Sequence, residues 1–111
     1  MMLVNGECQT HIDVTDRGFQ YGDGLFETIT VHDGKAVFLQ QHIERLTASC
    51  QCLQIPVPNA DTLNAEIDQL CQNTKQAVLK IIITRGSGGR GYRQPDDIHP
   101  TRVLSLHPFP N

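Results

Sequence analysis

The chain has 111 residues, 39% hydrophobic and 19% charged, enough for one core and too few for two. That balance excludes a disordered tail or a collagen-like chain, and a net charge of −3 argues against a general nucleic-acid binder. No run approaches the roughly 20 apolar residues of a membrane span. Met1–Gly6 has neither a basic start nor a long apolar segment, so a soluble cytoplasmic domain is expected.

Asn5-Gly6 is a pair that closes two-residue hairpins, so the chain is expected to open with two short strands. Gly24–His32 is rich in β-branched and aromatic residues and reads as a strand. Leu25, Ile29 and Val31 form its apolar side, and Phe26, Thr28 and Thr30 lie on the other. Glu27 interrupts the apolar side, which places water or a polar site at that end of the strand. Asp33-Gly34 predicts a second hairpin, leading into a strand around Lys35–Phe38.

From Leu39 the period changes. Leu39, Ile43, Leu46, Cys50 and Leu53 make one stripe of a helix over Leu39–Leu53, ended by Pro56 and Pro58. Leu63, Ile67, Leu70 and Cys71 define a second helix over Asp61–Gln72, with Asp61 as the expected N-cap. Val78–Thr84 reads as a strand buried on both faces, and Arg102–His107 as the last strand. Strands, two helices, then strands predict an α+β domain: a mainly antiparallel sheet with two helices packed on one face.

Cys8, Cys50, Cys52 and Cys71 contain no pair with zinc-knuckle or redox-dithiol spacing. They are read as small buried hydrophobes in a reducing compartment, and no metal site is expected.

Glycine concentrates in two stretches, Asp16–Gly24 and Arg85–Tyr92. The second carries Arg85 and Arg90 directly after an apolar strand, a composition that suits an anion site or a solvated connection. His42 and Arg45 stand three apart on the first helix, hence on one flank. An arginine at that border either reaches solvent along its stem or is held by an anion.

Three of these motifs together resemble a known family. Asp16-Arg17-Gly18-Phe19-Gln20-Tyr21-Gly22-Asp23-Gly24-Leu25-Phe26-Glu27-Thr28 is similar to the N-terminal signature of the fold-type IV pyridoxal-phosphate enzymes. His42-Ile43-Glu44-Arg45-Leu46 resembles their His-x-x-Arg-Leu element, and Thr84–Tyr92 is similar to the 4-amino-4-deoxychorismate lyase branch. The resemblance implies pyridoxal 5'-phosphate as cofactor, with Arg45 on its phosphate. It implies Arg90 and Tyr92 as substrate-side residues, usually acting near a homodimer interface. Phe26 stands where the D-amino acid aminotransferases have a carboxylate-binding tyrosine, a departure that fits a ring-shaped substrate such as 4-amino-4-deoxychorismate.

The family's Schiff-base lysine lies in its second half, and neither Lys35, Lys75 nor Lys80 stands in a matching context. Residues 1–111 are therefore expected to be the small N-terminal domain of a longer lyase, with no catalytic residue of their own and no activity alone. The alternatives are a D-amino acid or branched-chain aminotransferase and, from another class, a non-catalytic binding or dimerisation module.

Overall fold

The computed structural model describes residues 1–88 and 97–110. The elements in chain order are β1 (Met2–Val4), β2 (Glu7–Cys8), α1 (Arg17–Tyr21), β3 (Gly24–His32), β4 (Lys35–Ala36), α2 (Leu39–Leu53), α3 (Ala60–Cys71), β5 (Gln76–Thr84) and β6 (Thr101–His107). The six strands form one sheet in the order β2-β1-β6-β5-β3-β4, and every pairing is antiparallel. Both expected hairpins close through left-handed pairs, Asn5 (φ 49°) with Gly6 (φ 85°) and Asp33 (φ 49°) with Gly34 (φ 78°).

The core lies between one sheet face and the helix pair. Leu46 and Cys50 of α2, with Leu63, Ile67 and Leu70 of α3, bury against Leu3, Ile29, Val31, Leu79, Ile81, Ile83 and Leu104. Each such large aliphatic side chain contributes about 1.5–3 kcal/mol by leaving water. The α+β architecture and the span of α2 agree with the sequence reading.

Four expectations need correction. The cap of α3 is Asn59, whose side chain accepts from the Thr62 amide at 3.0 Å, while Asp61 sits in the first turn. The helix starts a residue earlier because Asn59 already has the extended backbone a cap requires. β4 stops at Ala36, because Phe38 takes φ 55° at the start of α2 and ends the extended run. β5 is fully buried on the helix side, but on the second face Val78, Lys80 and Ile82 are only half-buried and burial is complete only at Thr84. Of the cysteines, Cys50 and Cys71 are buried, but Cys8 and Cys52 are exposed.

The short α1 falls inside the first glycine-bearing stretch. Asp16 caps it by accepting from the Gly18 amide at 2.8 Å, and Gly22 stops it in the left-handed conformation. Its strand neighbour Gly24 lies so close to β5 that a Cβ there would collide with the Ile83 carbonyl oxygen. No helix among the described residues is long and apolar enough to cross a membrane.

Candidate functional site

Glu27 projects from β3 toward the helices, in line with Leu25, Ile29 and Val31, and is 6% exposed. A buried carboxylate needs partners, and α2 supplies two from one flank. Arg45 donates Nε–H to Oε2 and Nη2–H to Oε1, both at 2.8 Å. Nδ1 of His42 lies 2.7 Å from Oε1. The hydrogen bond from Arg45 holds the Glu27 carboxyl below its ordinary range against the opposing effect of burial, and His42 adds to the lowering. An ionised carboxylate only accepts, so Nδ1 of His42 carries the proton and donates it. In neutral His42, Nε2 is then left as an acceptor.

Arg45 differs from Glu27 in exposure. Its side chain is 66% accessible, and Glu27 takes only the Nε/Nη2 edge of the guanidinium. Among the described residues nothing engages Nη1. Arg45, His42, Gln41 and Phe38 line a cleft of about 240 Å³ over the first turns of α2. The N-terminus of α2 has no side-chain cap, so its first amides are not taken by a capping oxygen.

A second charged group joins the two glycine-bearing stretches. Oδ2 of Asp23 accepts Nε–H of Arg17 at 2.8 Å and Nε–H of Arg85 at 2.9 Å, and both arginines are 4% exposed. Burial pushes the Asp23 carboxyl up, but hydrogen bonds and charge from Arg85 and Arg17 outweigh it and leave it lowered. Arg85 also donates to the carbonyl oxygens of Leu53 (2.9 Å) and Gln54 (3.3 Å) at the end of α2. The anion-site reading therefore fails for Arg85, whose guanidinium is spent on protein acceptors. A backbone bridge between Asp16 and Ser87 and a bond from the Arg17 amide to the Gly86 carbonyl complete the junction.

Phe26, 62% exposed, projects from the opposite face of β3 and lines an apolar cleft of about 460 Å³ with Ile12, Phe19, Ile82 and Val103. Phe26 and Arg45 thus lie on opposite sides of the sheet. β4 pairs with β3 only at Val31 and His32. Among the described residues no strand pairs with the outer edge of β3 from Gly24 to Thr28. Arg90 and Tyr92 lie outside the described residues.

Sequence reasoning gave no role to Glu27, His42 or Asp23. The signal for the first two was present: one acid on the apolar side of a strand, and two bases on one flank of the next helix.

The amino-transferase class IV family model matches residues 24–111, and the chain belongs to that family. It is 41% identical over 99% of its length to an aminodeoxychorismate lyase of Vibrio harveyi, covering 41% of that protein. It is 35% identical to a D-alanine aminotransferase of Listeria innocua, over 85% of this chain and 34% of that protein. The crystal structure of 4-amino-4-deoxychorismate lyase from Pseudomonas aeruginosa superposes with a TM-score of 0.90 at 40% identity, covering 99% of this chain and 40% of that one. The chain thus spans about two-fifths of the length of these lyases. The resemblance drawn from the three motifs is borne out at the level of the family and its fold.

Proposed function

We propose that this chain is the small N-terminal domain of a pyridoxal-phosphate-dependent aminodeoxychorismate lyase, a carbon–oxygen lyase converting 4-amino-4-deoxychorismate to p-aminobenzoate and pyruvate. One observation carries the reading: nearly the whole chain aligns with two aminodeoxychorismate lyases, at 41% and 40% identity. The exposed Phe26 supports it, since a phenyl wall without a hydroxyl suits a ring better than a small carboxylate.

The residues present fit the cofactor. Arg45 offers an exposed guanidinium with one edge already fixed and the other open, which suits a phosphate oxygen pair. Pyridoxal phosphate, when bound, supplies the electron sink for loss of a proton next to the substrate amine. Arg45 would hold its phosphate, Phe26 would line the apolar wall that keeps water from the ring, and Arg90 and Tyr92 would face the substrate. The Schiff-base lysine would come from a further domain, so residues 1–111 would be inactive alone. The reading carries with it a cytoplasmic homodimer with its active site near the interface.

A second reading, a D-amino acid aminotransferase, is favoured by the 35% identity to the Listeria enzyme. A protein of Mycobacterium tuberculosis named as both lyase and D-amino acid transaminase is 29% identical over 80% of this chain. Assay of the full-length enzyme separates the two. The lyase releases pyruvate and p-aminobenzoate from 4-amino-4-deoxychorismate with no 2-oxo acid added. Transamination of D-alanine without p-aminobenzoate formation would overturn the proposal.

A further inference from the structure

We infer that Glu27 is a positioning residue for cofactor binding: it presets the guanidinium of Arg45 to receive a phosphate. The inference rests on the reading of Arg45 given above and deepens it.

An exposed arginine has many rotamers, and ordering them on binding costs affinity. Arg45, at 66% exposure, would be such a side chain without a clamp. Glu27 supplies the clamp by taking the Nε/Nη2 edge with both carboxylate oxygens at 2.8 Å. The two parallel bonds fix the guanidinium plane as well as its position. That geometry leaves Nη1, and the outward hydrogen of Nη2, for an oxyanion approaching from the cleft side.

The clamp is itself anchored. Glu27 is 6% exposed and stands mid-ladder in β3, opposite Ile81 of β5. Oε1 receives Nη2–H of Arg45 and Nδ1–H of His42 together, so rotating the carboxylate would break both. His42 and Arg45 rise from one flank of α2. Strand and helix are in turn joined through the core, where Ile29 and Leu46 are fully buried. The side chain that would meet the phosphate is thus tied to the buried core of the domain through one carboxylate.

The arrangement demands a carboxylate of this length. Glutamine keeps the shape but presents an NH2 to a donor, and aspartate withdraws the oxygens by one methylene. Neither can hold the fork edge of Arg45 and His42 together.

The test uses the full-length enzyme and the ratio of its affinities for pyridoxal phosphate and for pyridoxal, which isolates the phosphate. Arg45→Ala should lower that ratio about ten- to a hundredfold, the loss of one charge-assisted contact. Glu27→Gln should lower it about three- to tenfold, and should add nothing in the Arg45→Ala background, where there is no side chain left to position. If Glu27→Gln does not fold, Glu27→Asp gives the same test, with the ratio again falling. If Arg45→Ala lowers the ratio while the Glu27 variants leave it unchanged or raise it, the positioning role is overturned and the phosphate reading stands. If Arg45→Ala leaves the ratio unchanged, the phosphate reading fails and the inference with it.

Discussion

Arg85, one residue past β5, donates Nη2–H to the carbonyl oxygen of Leu53, the last residue of α2, at 2.9 Å. A cation at a helix C-terminus meets both the orphan carbonyls and the negative end of the helix dipole. Here the same side chain also pairs with Asp23 at the foot of β3, so one buried guanidinium joins three elements. Arg85→Met should therefore lower the unfolding free energy by about 3 kcal/mol, the range for a charged hydrogen-bond network losing a buried member. Urea unfolding reads it as a lower midpoint at unchanged slope. Arg85→Lys should recover only part of the loss, because an ammonium cannot serve carboxylate and carbonyls in the planar geometry of the fork.

The glycines at 22 and 24 should separate two reasons for glycine. A Cβ at Gly24 would meet the carbonyl oxygen of Ile83 and lie 3.0 Å from the Cα of Thr84, both backbone atoms that cannot step aside. Gly22 has open space around its missing Cβ but sits at φ 65°. Gly22→Ala should cost about 1 kcal/mol, the left-handed penalty. Gly24→Ala should cost at least about 2 kcal/mol, because the β3–β5 ladder must part to admit it. Comparing the two thermal midpoints checks the order, and equal losses would contradict it.

Much of this architecture is legible from local chemistry. Asn5-Gly6 and Asp33-Gly34 announce their own turns, and the stripe from Leu39 to Leu53 marks α2 to the residue. α1 escapes because five residues carry no apolar period. Only Asp16 as cap and Gly22 as stop mark it, and Gly18 lies between them. Asn59 and Asp61 are both good caps by composition, and the choice falls to the backbone angle at residue 59, which no propensity encodes. The site divides in the same way. Residue type and spacing leave Arg45 between solvent and an anion, and only the family resemblance points to Arg45 and Phe26, whereas the fate of Arg85 depends on α2 ending beside β5, a contact between positions 32 residues apart.

Acid should loosen the protein through two carboxylates. Glu27 and Asp23 both titrate below their ordinary values in the folded chain. A lowered folded-state value means that the unfolded chain binds the proton more tightly. The stabilisation is then fully present above the unfolded value and is lost as pH falls through the folded one. Stability should be flat from neutral pH down to about 5, then fall steeply below about pH 4. Urea midpoints measured between pH 3 and 7 check this, at roughly constant ionic strength of 0.1 M to hold screening fixed. Glu27→Gln should flatten the acid limb, and an unaltered limb in that variant would assign the loss to other groups.

Lys80 tests the reading that this domain holds no Schiff-base lysine. It stands mid-strand on the open face of the sheet, opposite Thr28 of β3 and Ser105 of β6. Its Nζ lies over the ring of Phe26, 5.0 Å from the centroid. That contact engages the ammonium form, whereas attack on a carbonyl carbon requires the neutral amine. Lys35 begins β4 and Lys75 directly precedes β5, and both are exposed. Mixing the 111-residue chain with pyridoxal phosphate, reducing with borohydride and mapping peptides should give substoichiometric label spread over Lys35, Lys75 and Lys80. No p-aminobenzoate should form from 4-amino-4-deoxychorismate. A single stoichiometric adduct at Lys80, with turnover, would place the active lysine in this domain and overturn its assignment as a domain silent on its own.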